Sequence, residues 1–377
     1  GRAPRTFSSS HARGWTCALL QRDAMSAPAD APGPRLAALD HIESTPGPHE
    51  VVHLWSLDAP TSGDLDGAGL LAAARPGTHG ALDLLAALVR RGRPCGVWLV
   101  TAGSAAVDAA PGPAAMLGAP LWGLARAAAL EAVELDLRCV DLDPVASADQ
   151  ASALADEIER RGASDEDQIG LRLPAAAAEP IGPRRFVARI RRVDPAALAR
   201  SGPWAPRSGD THVIAGGHGR LGLRTAELLA RRGAGALVLL GRRPPGPSLH
   251  PRLERLRTEG VRIVEASVDI ADADALADAL DAATAGLPPL AGVFHCAGVL
   301  DDGVLAQQRW DRFEALLRPA LAGAWNLHRW TRARPLDHFV LFSSIAGLLG
   351  SAGQANHAAA SACLDALAWH RRALGLP

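Results

Sequence analysis

Residues 211–233 read THVIAGGHGRLGLRTAELLARRG, and this stretch decides the fold. A short apolar strand, HVIA, runs into Gly217-x-Gly219-x-x-Gly222, which opens the helical run LRTAELLARR. Glycines in such a turn permit a tight reversal and let backbone N–H groups approach a pyrophosphate at the positive end of the helix. The pattern alone is weak. Between a strand and a helix it points to a dinucleotide site.

The same alternation continues outward from this turn. ALVLLGRR (236–243), VRIVEASVDI (261–270), GVFHCAG (292–298) and HFVLFSS (338–344) read as strands. LERLRTEG (253–260), DADALADALDAA (272–283) and AAASACLDALAWHRRALG (358–375) read as helices. RWDRFEALLRPALAGAWNLHRWTRA (309–333) contains helix that Pro319 limits or kinks. Continuous apolar strands between helices predict a doubly wound, parallel α/β sheet.

Upstream, VVHLWSL (51–57), GVWLVTAG (96–103), LRCVDLDP (137–144), DEDQIGLRL (165–173) and RRFVARIRR (184–192) read as strands. ALDLLAALVRRG (81–92), LWGLARAAALEA (121–132) and ALADEIERRG (153–162) read as helices. The halves resemble one another: His53 and His295 lie 242 residues apart, Val97 and Phe339 share that offset, and GALDLLAAL matches GAWNLHRWT at 243. The expected organisation is a leader over 1–48, a Rossmann-like unit without a glycine loop over 49–205, and a second, dinucleotide-binding unit over 206–377. The first half passes from its last helix into LRCVDLDP, whereas the second stops at ALGLP. Its final strand is therefore expected to be missing from this chain.

Composition narrows the function. Of 377 residues, 48% are hydrophobic and 21% charged, with a net charge of −1, as in an ordinary globular chain without a basic nucleic-acid footprint. No run approaches a membrane span, and GRAPRTFSSSHARGWTC has no continuous apolar segment of a secretory signal. Five dispersed cysteines without a CxxC argue against disulfides and a metal site and suit the cytoplasm. All 39 cations are arginine, and tyrosine is absent. Any mechanism needing a lysine or a tyrosine of this chain is excluded.

The strand after the glycine loop ends in Arg242 and Arg243 rather than an acid, which favours the 2′-phosphate of NADP(H) over the ribose hydroxyl of NAD. Asp269 ends the next strand, where it could meet an adenine or simply cap the strand.

The run from AGGHGRLG through GVFHCAGVLDDG, GAWNLH, FVLFSSIAGLLGSAGQANHAAAS and LDALAWHRRALGLP closely resembles the ketoreductase domain of modular type I polyketide synthases, a short-chain dehydrogenase/reductase. APLWGLARAAALE, VDLDP and DEDQIGLR resemble that family's non-catalytic structural subdomain. The resemblance implies reduction by NADPH of a β-ketoacyl thioester carried on the phosphopantetheine arm of an acyl carrier protein, among neighbouring synthase domains. It implies cofactor contacts from Gly217, His218, Gly219, Leu221, Gly222, Arg242, Asp269, Ile270, Ala297 and Gly298. Its catalytic tetrad is serine, tyrosine, asparagine and lysine. Here Ser344 matches the serine, but His357 stands at the tyrosine, Ser361 at the asparagine and Ala320 at the lysine.

Three departures of four imply a redox-silent domain kept for architecture. A slow or altered reductase using Ser344 and His357 is the alternative, and an epimerase of the α-carbon a third. Asp302 in LDD resembles the family's B-type signature, and Leu349 stands where A-type members carry tryptophan. His295 and Cys296 read as buried structural residues, and Trp122, Trp325 and Trp369 as core or interdomain packing. The arginine pairs at 160–161, 191–192 and 371–372 read as solvated faces, one of which could meet the carrier protein.

Overall fold

The computed structural model describes residues 6–7, 16–19, 49–59, 64–92, 94–107, 114–145, 147–173, 183–194 and 207–377. Two sheets organise them. The first has seven strands in chain order: β1 (Thr6–Phe7), β2 (Thr16–Leu19), β3 (His49–His53), β4 (Gly96–Ala102), β5 (Leu137–Leu142), β6 (Gln168–Arg172) and β7 (Arg184–Val187). Pairing is parallel from β2 to β6 and antiparallel at both ends. The second has β8 (Thr211–Ala215), β9 (Ala236–Gly241), β10 (Arg262–Ser267), β11 (Leu290–His295) and β12 (His338–Leu341), all parallel, in the order β10-β9-β8-β11-β12.

Strand order reverses on either side of β8, so a crevice opens beyond its C-terminal end. In the first sheet strand order follows chain order and provides no such reversal. Successive residues of its strands face opposite layers. Val51, Val97, Leu99 and Cys139 meet α1 (Gly67–Arg91) and α2 (Ala114–Glu131), while Val52, Trp98, Val100 and Val140 meet α3 (Ala148–Glu159).

Several expectations are corrected. Residues 6–7 and 16–19, read as part of a peripheral leader, form strands that extend the first sheet through β3. The run 51–57 leaves the sheet at His53 and turns as a 3₁₀ segment, Trp55–Asp58. Helices expected at 81–92 and 121–132 begin earlier and continue through Pro76 and Pro120. Trp369 is 50% exposed, whereas Trp122 and Trp325 are buried; its face of the last helix points outward, where Arg372 covers the ring. Much of the linker read at 193–210 lies outside the described residues.

The second half adds α4 (Arg220–Arg231), α5 (His250–Thr258), α6 (Ala273–Thr284), α7 (Trp310–Leu317), α8 (Ala324–Thr331), a short α9 (Ala346–Leu349) and α10 (Ala355–Ala373). Between α7 and α8, Arg318–Gly323 form a π turn rather than a break. Pro319 has no N–H to donate, and the wider turn absorbs that loss.

The halves share one core. α2 and α10 make the most extensive helix–helix contact, and α1 lies against the π turn. The backbones approach closely: a Cβ on Gly123 would lie 2.2 Å from the Ala358 carbonyl oxygen, and one on Gly67 2.2 Å from that of Ala322. At the repeat offset α2 corresponds to α10, and α1 to α7–α8, so each helix packs on its own counterpart. No helix among the described residues is long and apolar enough to cross a membrane.

Candidate functional site

Strand β8 ends at Ala215, and the chain turns through Gly216 with φ +77°. A Cβ on Gly217 would strike the Leu239 side chain at 2.8 Å, and one on Gly222 the Gly216 carbonyl oxygen at 2.2 Å. Both positions therefore let the helix close onto the strand. Gly219 is the N-cap of α4, and no side chain caps that end. Its orphan N–H groups face the crevice with the positive end of the helix dipole.

A cavity of about 780 Å³ occupies this crevice. It is lined by Gly216, His218 and Gly219 from the loop, Arg242 and Arg243 from the end of β9, Asp269 and Ile270 after β10, and Cys296, Ala297 and Gly298 after β11. Arg318 and Pro319 close the far side. Seven of the ten expected cofactor residues thus line one cavity. Gly217 and Gly222 shape it from behind, and Leu221 is 45% exposed on the first turn of α4, outside the lining.

Polar contacts hold this cavity open. The His218 Nδ1–H donates to the Arg243 carbonyl at 2.8 Å, tying the glycine loop to the arginine turn. Burial raises the pKa of the Asp269 carboxyl, but the Ala271 N–H, Arg318 at 2.9 Å and Arg242 overcome it and hold the group below the ordinary range. The residues fit a nicotinamide dinucleotide: uncapped N–H groups suited to a pyrophosphate, a glycine surface for close approach, and two arginines at the end of β9.

The four positions expected to form the tetrad lie on three elements, and none of them lines this cavity. Ser344 lies in the turn after β12, where its Oγ accepts the Ala346 N–H at 3.2 Å and keeps its proton to donate. That turn lies on α10: Ser343 donates to the Ser361 carbonyl at 3.1 Å, and a Cβ on Gly347 would be 2.9 Å from the Ser361 Cβ. His357 stands one turn before Ser361 on α10, on the same face of the helix. Ala320 is in the π turn, 5% exposed, within the apolar core that both halves share. A methyl group surrounded by hydrocarbon occupies that position.

His295, at the end of β11, donates Nε2–H to the Pro319 carbonyl at 2.9 Å, and burial pushes its pKa down. It therefore anchors the π turn as a neutral ring. Burial raises the Cys296 thiol to about 11, which leaves it inert at neutral pH. Among the described residues no group of metal-ligating side chains occurs.

Sequence reasoning missed the residues that tie the Asp301–Asp302 turn to α7 and to the start of α10. Arg312 grips the Asp301 carboxylate through two bonds of 2.8 and 2.6 Å and also reaches the carbonyls of Asp301 and Asp302. This pair holds the Asp301 carboxyl below its ordinary range. Gln354 donates to Asp302 at 3.0 Å; Asn356 donates to the Asp301 carbonyl at 2.7 Å and accepts the His357 N–H at 2.8 Å. Only the rarity of asparagine, two residues in the chain, could have marked Asn356.

In the first half the turn after β4 lines a separate cavity of about 730 Å³, which α10 closes from the other side. Asp141, fully buried, accepts from Thr101 Oγ1, from the Ser104 and Ala105 N–H groups and from Arg172, closing the turn that corresponds to Ser344–Leu349.

Solved ketoreductases share this fold. The structure described as A-type ketoreductases from a modular polyketide synthase is 34% identical, with a TM-score of 0.73 over 91% of this chain and 69% of that one. The chain belongs to the polyketide synthase ketoreductases. The first ketoreductase of the tylosin synthase is 35% identical, with a TM-score of 0.71 over 91% of this chain and 68% of its own. The KR domain family matches residues 210–377, and the Rossmann fold domain of the polyketide synthase extender module SpnB matches 9–179. Polyketide synthase GfsB of Streptomyces halstedii is 40% identical over 289 residues, 74% of this chain. The ketoreductase chain spans only 5% of that relative's length.

Proposed function

We propose that this ketoreductase region binds NADPH but leaves the β-keto group of a carrier-bound acyl chain unreduced, serving as a scaffold between neighbouring synthase domains. The observation that carries the proposal is Ala320, a buried methyl at the lysine position of a chain with no lysine or tyrosine anywhere.

When bound, NADPH supplies a hydride. The N–H groups at the start of α4 would hold its pyrophosphate, and Arg242 its 2′-phosphate. Ser344 keeps a hydroxyl proton to bond the substrate carbonyl. What remains is delivery of a proton to the developing alkoxide, which needs an acid at bonding distance with a tuned pKa. An imidazole at 357 differs in reach from a phenol, and Ala320 offers no cation to tune it or hold a ribose. Loss of one acid–base group costs about 10²–10⁴-fold, and here two coupled groups are gone.

A single-turnover assay tests the proposal. The chain in excess over a β-ketoacyl thioester, with NADPH, is followed by mass spectrometry of the acyl group. The expected result is an unchanged mass, with reduction partly restored in Ala320→Lys/His357→Tyr/Ser361→Asn. Gain of two hydrogens by the acyl group, abolished in His357→Ala, would establish His357 as the acid and sink the silent reading.

A further inference from the structure

The C-terminal end of α2, in the half without a glycine loop, is the seat of the chain that leads into His357. Glu131, the last residue of α2, accepts the Gly353 N–H through Oε1 at 2.9 Å and the Leu305 N–H through Oε2 at 2.7 Å. The Gly303 N–H in turn donates to the Gly353 carbonyl at 2.7 Å. One carboxylate thus joins two turns distant in sequence: the turn carrying Asp301 and Asp302, and the turn entering α10. Arg126 supports the same seat from one turn earlier, donating to the Gly347 carbonyl at 2.5 Å. Gly350, with φ +77°, lies so close that a Cβ there would be 2.3 Å from the Arg126 carbonyl oxygen.

We propose that Glu131 is a positioning residue of the ketoreductase site. It acts through Gly353 and Leu305 and sets where residue 357 stands relative to the Asp301–Asp302 turn. A carboxylate suits the task. It presents two acceptors in one rigid plane, and its bonds from backbone N–H groups are stronger than neutral ones. Glutamine keeps one acceptor and would turn its own N–H₂ toward the other donor. Alanine leaves both backbone donors unpaired. The inference rests on the proposed function only in naming what is positioned; the bonds stand without it.

Glu131→Gln and Glu131→Ala in the full chain test it, with Val133→Thr as a control at an exposed neighbour. Three quantities are read: amide hydrogen exchange at Gly353 and Leu305, affinity for a β-ketoacyl pantetheine thioester, and NADPH affinity from nicotinamide fluorescence. In Glu131→Ala, exchange at both amides should accelerate about tenfold or more. Thioester binding should weaken by about tenfold, while NADPH binding stays within about twofold. Glu131→Gln, the milder change should the alanine variant fold poorly, should deprotect one amide and spare the other. Unchanged exchange at both amides would overturn the proposal, as would NADPH affinity falling in step with thioester affinity, the mark of general loosening. If the wild-type chain binds no thioester, the substrate reading fails, and exchange at Gly353 and Leu305 still decides the role of Glu131.

Discussion

Arg242 carries the residue-scale prediction of nucleotide choice. It stands on the cavity wall after β9, near enough to Asp269 to depress that carboxyl. Arg242→Ala should weaken NADPH binding about tenfold or more while leaving NADH nearly unchanged, because only NADPH carries the phosphate. Titration of nicotinamide fluorescence with both nucleotides checks this; an equal loss for both would remove Arg242 from the phosphate site. Its place on the cavity wall was legible because a strand ending in arginine after a glycine loop is a local pattern. Glu131 and Gln354 were not, since each acts on a segment remote in sequence and no spacing announces it. Both asparagines are buried bridges: Asn326 accepts the Gly67 N–H and donates to the Ile270 carbonyl, and Asn356 links Asp301 to His357.

At the scale of elements, the glycine turn was the most legible, because its constraint is steric and local. Gly222→Ala puts a Cβ 2.2 Å from the Gly216 carbonyl oxygen. The strand and helix must part, so NADPH binding should be lost and stability should fall by about 1–3 kcal/mol. Urea unfolding and the same fluorescence titration measure both. Helix ends were less legible. Proline normally ends or kinks a helix, yet α1 and α2 run through Pro76 and Pro120, which no local pattern announces. The run across Pro319 became a π turn held by His295, a contact made possible only when β11 and α7 come together.

The whole molecule should unfold as one unit, since one apolar core contains Leu82 and Leu124 from the first half and Phe313, Ala320 and Leu367 from the second. Gly123→Val, which forces a side chain into the Ala358 backbone, should destabilise both halves together by about 1–3 kcal/mol or more. Two separate calorimetric transitions in the wild-type chain would contradict the shared core. Stability should also depend on acid. Burial lowers His53 to about 4; burial and then His338 lower His212 to about 4; burial and then Arg371 lower His328 to about 3. Below the ordinary value of about 6.5 the unfolded chain takes up protons that the folded chain refuses. Stability is therefore full above pH 6.5 and declines toward pH 4, by about 3 kcal/mol for His53 alone, which is 1% exposed. Urea midpoints across that window should fall, and His53→Asn should flatten the slope by about one proton; an unchanged slope would show that His53 does not contribute.

What the sequence determined by itself is whatever depends on neighbours along the chain. The βαβ pattern follows from apolar periodicity, the nucleotide turn from glycine spacing, and the absence of a lysine–tyrosine pair from a count of residue types. Tertiary structure alone decided the pairing of each interface helix with its repeat counterpart, the hydrocarbon environment of Ala320 and the reach of Glu131 into the second half. Those depend on which backbones approach closely enough to exclude a Cβ and which N–H groups are left facing a carboxylate. No local pattern encodes that geometry, because it exists only once two distant segments have been brought into register.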